Sequence, residues 1–153
     1  MAHVERVLPM SRPRVFDALT DPETYPHWLV GARDIRAVDA DWPAVGSAFH
    51  HRVGLVGPLK VAALSKVLAI DEPCRLELEV RARPLGRGRV TFALTDQGSP
   101  DEPSTLVGFD EVPIGAISPL KPLLDPLTAH RNRRSLAQLE DFLLHGRSHR
   151  APG

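Results

Sequence analysis

The sequence predicts an α+β domain in which one antiparallel sheet is covered by a single long C-terminal helix, and three observations carry that prediction. Between residues 47 and 113 apolar and polar residues alternate in five strand-length runs, parted by short turn signals rich in Gly, Pro, Asp and Ser. Between residues 125 and 145 the period becomes helical, with Ala129, Leu136, Leu139 and Leu143 on one stripe and Thr128 and Phe142 at its edge. Arg131, Arg134, Gln138 and Asp141 fall opposite. Near the N-terminus two cap signals, Ser11 and Asp21-Pro22-Glu23, open short helices behind a first strand.

Taken in order, residues 3–10 alternate as a strand, Val4, Arg6 and Leu8 against Glu5 and Val7, until Pro9 ends the pairing. Ser11 caps a helix through Val15, Phe16 and Leu19, and Asp21 restarts one toward Trp28. Gly31 breaks that run, residues 34–40 read as a strand, and residues 41–46 read as a loop. The five runs then cover residues 47–55, 59–70, 75–82, 89–95 and 105–113. Their turns are Gly57-Pro58, Asp71-Glu72-Pro73, residues 84–88 and residues 97–104. In the third run Leu76, Leu78, Val80 and Ala82 face the core, while Glu77, Glu79, Arg81 and Arg83 face water.

Connections this short make consecutive strands antiparallel, because a parallel return needs a crossover of about a dozen residues or more. The sheet is therefore a meander whose apolar face must be covered, and the striped helix is the element left to cover it. Asp125 reads as its N-cap and Pro126 as its first residue, since proline there forfeits no helical bond. Residues 114–124, with Pro119 and Pro122, form a bent approach. The domain spans residues 1–145, and residues 146–153 read as a disordered tail.

A chain of 153 residues fits one domain with a real core. Its 19 basic residues balance 19 acidic ones and are scattered apart from Arg131, Arg133 and Arg134, which argues against nucleic acid as a partner. The single cysteine, Cys74, makes no internal disulfide and fits a reducing compartment. With no signal-peptide core and no apolar run of bilayer length, the expectation is a soluble, cytoplasmic protein without stable membrane insertion. No glycine-rich phosphate loop, dinucleotide fingerprint or zinc spacing occurs, so no cofactor and no metal are expected. The oligomeric state is not set by these features.

The order strand, two short helices, long meander, C-terminal helix resembles the helix-grip fold of the START-like (SRPBCC) superfamily. That superfamily takes in the polyketide cyclase/dehydrase, lipid-transport and pollen-allergen-like proteins. The likeness spans nearly the whole chain and is carried by three stretches. These are residues 4–28, with Val7-Leu8-Pro9-Met10-Ser11-Arg12-Pro13 and Asp21-Pro22-Glu23; Gly46-Ser47-Ala48-Phe49 at the head of the meander; and Arg131-Asn132 with Ser135-Leu136 and Leu139 on the helix. It is most similar to actinobacterial-type members with this Phe49-His50-His51 pattern. The resemblance implies a curved sheet of about six to seven strands wrapped on the helix. It also implies a cavity between them, which binds, carries or transforms a hydrophobic or amphipathic small molecule such as a lipid, polyketide or aromatic metabolite. If the protein is an enzyme, the implied activity is a cofactor-independent polyketide aromatase/cyclase or dehydratase.

Within that frame Asn132 stands out, an amide in the middle of an apolar stripe, which either touches ligand or satisfies a buried strand carbonyl. If Phe49, His51 and Val53 share the core face, His51 is a cavity hydrogen-bonding group or base; the alternative is a satisfied core histidine. Val107, Phe109 and Glu111 share a face, so Glu111 is either a cavity acid pairing with Asn132 or Arg131, or a strand-end carboxylate that has reached water. Trp28 and Trp42 flank the closed end as walls or as packing aromatics. Ser65, Leu78, Phe92, Phe109 and Leu136, inward by phase, complete the expected ligand-binding set with Trp28, Phe49, His51, Glu111 and Asn132. Ser65 has no fixed base beside it in sequence and is not read as a nucleophile. Ala63, Ser65, Ala69, Ala82 and Gly108 are small residues assigned to the inner face, where they leave space or admit a closely packed helix.

Overall fold

The computed structural model describes residues 2–54, 60–82 and 86–146, with the backbone alone at 116–118. Strand β1 (Ala2–Leu8) is followed by α1 (Arg12–Leu19), a 3-10 turn at Pro22–Thr24 and α2 (Tyr25–Trp28). Six strands come next: β2 (Ala32–Val38), β3 (Ala48–Gly54), β4 (Lys60–Asp71), β5 (Arg75–Ala82), β6 (Gly86–Asp96) and β7 (Thr105–Ile114). A 3-10 segment, Gly115–Leu120, leads into α3 (Lys121–His145). The seven strands form one antiparallel sheet in the order β1-β7-β6-β5-β4-β3-β2, so β2 to β7 are a meander and β1 closes back on β7. The sheet is curved and open, and α3 packs on β1, β7 and α2, which is the helix-grip arrangement.

Several local expectations are altered. The long helix begins at Lys121, five residues before the predicted first residue Pro126, which lies inside it. Pro122 takes the early-turn position in which proline costs no bond, and Asp125 accepts from Lys121 Nζ at 2.8 Å one turn away instead of capping. Pro126 forfeits only the bond to the Pro122 carbonyl, near enough to the start for the helix to continue. Ser11 occupies the N-cap of α1, yet its backbone carbonyl and not its hydroxyl receives Val15 N. Asp21 does cap with its side chain, accepting from Glu23 N at 3.1 Å.

The inner face runs through Phe49, His51 and Val53 on β3, Ala63, Ser65 and Val67 on β4, and Leu76, Leu78 and Val80 on β5. Val90, Phe92 and Leu94 on β6 and Val107, Phe109 and Glu111 on β7 continue it. A bulge between Val67 and Ala69 turns Ala69 to the outer face opposite Glu77 and brings Ile70 inward opposite Leu76. Gly108 is also an outer-face residue, since a Cβ placed there would meet His3 and Ala93, so neither contributes inner space. Glu79 faces outward as its phase requires but is only 7 % exposed, because Arg81 Nε and Arg87 Nη1 clasp its carboxylate at 3.1 and 3.0 Å. Gly86, predicted as turn, pairs with Ala82 and starts β6. The Gly57-Pro58 turn and residues 147–153 of the predicted tail lie outside the described residues; Gly146 ends α3 in the left-handed region that favours glycine (φ 65°). No helix among the described residues is long and apolar enough to cross a membrane.

Candidate functional site

Between the inner face and the helices lies a chamber of about 80 Å³. Its apolar wall comes from alternate residues of four strands, Val53, Leu78, Val80, Val90, Phe92 and Phe109 among them. Tyr25 and the turn Leu29-Val30-Gly31 close one side. That turn is fastened to the long helix: Val30 N donates to Ser135 Oγ at 3.0 Å, and Ser135 Oγ donates to the Arg131 carbonyl at 3.0 Å. Gly31 makes the turn possible by adopting a positive φ of 97°.

Four polar side chains line the chamber besides Tyr25, and they come as two pairs. His51, 4 % exposed, lies 3.1 Å through Nε2 from Ser65 Oγ, and its ring rests on Phe49 with centroids 5.0 Å apart. Burial, and secondarily the neighbouring His50, push its pKa down to about 4, so the imidazole is neutral at pH 7 and a weak base. Glu111 and Arg131 form the second pair, a direct guanidinium–carboxylate bond. Tyr25 donates to the Leu19 carbonyl at 2.6 Å, and burial holds its phenol well above the usual range.

Asn132 completes the ionic pair. It is fully buried, its Nδ2 donates to Glu111 Oε1 at 3.3 Å, and its Oδ1 accepts from Arg131 Nε at 3.3 Å. The amide in the apolar stripe thus satisfies a carboxylate and a guanidinium together, in place of a strand carbonyl. A second cavity of about 190 Å³ shares Val53, Val80, Glu111 and Arg131 with the first and continues along Ala82, Gly88, Leu124 and Thr128. The ion pair therefore stands in the wall between two spaces. Ligand-sized pockets start near roughly 300 Å³, a size the two approach only when joined.

Of the residues expected at the site, His51, Ser65, Leu78, Phe92, Phe109 and Glu111 line the chamber. Trp28, Phe49, Asn132 and Leu136 are buried outside its lining. Trp28 packs on Tyr25 and Phe92 and donates to Thr24 Oγ1 at 3.1 Å. Trp42 donates to the Thr20 carbonyl at 2.7 Å and packs edge-on against Phe49, so both tryptophans brace the closed end. Sequence reasoning missed Tyr25, the Leu29-Val30-Gly31 turn and Ser135. Gly31 was the available signal for the turn, whereas a serine on a helix announces nothing until its partner is known. Among the described residues no three His, Cys, Asp or Glu side chains converge on a metal position.

Residues 9–111 match the family described as Activator of Hsp90 ATPase homolog 1-like protein, within the SRPBCC/START-like superfamily. The chain belongs to that family. No curated protein sequence matches it. Among solved structures it is similar to a protein from Nitrosomonas europaea, at 19 % identity and a TM-score of 0.69 over 95 % of this chain and 94 % of that one. Ara h 8.0201 superposes with a TM-score of 0.65 at 16 % identity, over 93 % of this chain and 95 % of the other. DynU16, described as a putative protein in the dynemicin biosynthetic locus, superposes at 17 % identity with a TM-score of 0.63; the match covers 98 % of this chain and 49 % of DynU16. Likeness at these identities establishes the shared fold.

Proposed function

We propose that the protein binds a hydrophobic or amphipathic small molecule between its sheet and α3. One observation carries the reading: a chamber walled by Leu78, Val80, Val90, Phe92 and Phe109 into which only a few polar groups converge. The polar groups suit holding better than turnover. A histidine whose pKa is pushed down to about 4 is a poor proton acceptor at neutral pH, and Glu111 already accepts from Arg131 and Asn132. His51, Ser65, Leu78, Phe92, Phe109, Glu111 and Arg131 would touch the ligand. Asn132 would act through Glu111 and Arg131, and Trp28, Phe49 and Leu136 would support the wall.

Native mass spectrometry of protein purified from its own host tests this. A retained small-molecule adduct is expected, and it should disappear in Val90→Phe, which fills the chamber while keeping an apolar strand residue. An adduct that persists undiminished in Val90→Phe places the ligand elsewhere and defeats the reading. Turnover of a poly-β-ketone by the pure protein, lost in His51→Ala, would move the assignment to a cyclase.

A further inference from the structure

The two polar pairs differ in charge and in what they leave unpaired. At the Glu111–Arg131 pair the opposite charges meet directly, and Asn132 bonds both partners. At the other pair, Ser65 Oγ meets no acceptor among the described residues except the His51 ring. A buried hydroxyl carries a proton that must be donated, so Ser65 donates to Nε2. A neutral imidazole whose Nε2 accepts bears its own proton on Nδ1. That Nδ1 has no hydrogen-bond partner among the described residues, although the ring lines the chamber. The site therefore holds one spare N–H donor, uncharged, among apolar walls.

We propose that the chamber takes an uncharged, mainly apolar molecule of single-ring size carrying a carbonyl-type acceptor, such as an aryl ketone, whose oxygen accepts from the Nδ1–H of His51. This rests on the ligand-binding reading and names the ligand class. A carbonyl satisfies the spare donor and brings no proton of its own to be left unpaired against Val80, Val90 and Phe92. An anion fits worse: the imidazole stays neutral, and the guanidinium in reach is already occupied by Glu111, whose like charge would oppose it. His51 lines the chamber but its Nδ1 has under 1 Å² open, and a chamber of about 80 Å³ must widen to admit a ring, so the same widening has to uncover Nδ1.

The test uses the full chain with acetophenone, its alkene isostere α-methylstyrene, and benzoate, titrated into wild type and His51→Phe. Both neutral probes should bind wild type, and the ketone-to-alkene affinity ratio should fall about fivefold to tenfold in the variant, the size of one neutral hydrogen bond. Independently of any variant, ¹⁵N spectra of the wild-type imidazole should show the Nδ1–H tautomer, and the Nδ1 resonance should move with acetophenone but not with α-methylstyrene. An unchanged ratio, an Nε2–H tautomer, or benzoate as the tightest ligand overturns the carbonyl assignment and leaves the apolar cavity standing. Failure of both neutral probes to bind wild type overturns the single-ring ligand class altogether, whereas the ligand-binding reading beneath it falls only if native mass spectra of protein from its own host show no retained adduct.

Discussion

The two halves of α3 make opposite use of the same sheet. In the C-terminal half Leu136 and Leu139 are fully buried, Phe142 stacks on His27 at 5.3 Å, and Arg6 Nε bonds Glu140 Oε1 at 3.1 Å, tying the helix to β1 and α2. In the N-terminal half Leu123 and Leu127 are 75 % and 72 % exposed, and Leu124, Thr128 and Arg131 border a cavity. The difference originates in the sheet. Phe92 and Phe109, backed by Phe16 and Trp28, fill one region, whereas Val53, Val80, Ala82 and Gly88 offer little side chain in the other. A helix standing over small residues cannot be closely packed without bending, so space remains and polar groups hold its wall.

The largest expected effect breaks the packed half. Leu139→Ala should cost about 2–5 kcal/mol in urea unfolding, through lost burial and a new void, while Leu127→Ala at an exposed site should stay within about 0.5 kcal/mol. Equal losses would erase the contrast between the halves.

The pH dependence of stability probes the cavity side. His51 has a folded pKa of about 4 against an unfolded value near 6.5, so between those limits the unfolded chain binds a proton that the folded chain refuses. The contribution is fully present above about pH 6.5 and is lost as pH falls toward 4, on the order of 3 kcal/mol in total. His51→Phe should flatten that limb of the stability curve; an unaltered slope would mean that His51 is not desolvated. His3 has the opposite sign, because its hydrogen bond with Asp110 raises its pKa, so its contribution is present at low pH and fades as pH rises through that raised value.

The smallest effect belongs to the dividing wall. A double-mutant cycle of Arg131→Ala with Glu111→Gln should give a coupling of about 1 kcal/mol, kept modest because the two side chains are 39 % and 21 % exposed. A coupling near zero would show that the pair does not hold the wall.

Much of this was legible in the chain. The period-2 runs placed the meander strands, with β6 starting three residues earlier than predicted at Gly86, and the helical stripe picked out Leu136 and Leu139. The same alternation grouped His51 with Phe49 and Val53, and Glu111 with Val107 and Phe109, without deciding which face was inward; in the sheet both sets turn inward, and His51, Ser65, Leu78, Phe92, Phe109 and Glu111 line the chamber. The errors lie where local rules compete. Pro122 and Pro126 both qualify as helix-opening prolines, and the bulge beside Leu68 reverses the phase of Ala69 without any Gly or Pro to announce it.

The amino-acid sequence by itself determined which residues share a face within each unbulged strand, because side-chain direction follows from backbone period and needs no distant partner. Only the tertiary structure decided what the inward groups do. Asn132 meets Glu111 across 21 positions, Ser65 meets His51 across a hairpin, and Val30 meets Ser135 across 105 positions, pairings created by strand order and helix placement. Cavity size has the same origin, since it is the volume left over when a curved sheet and a helix are brought together, a quantity that no single segment carries.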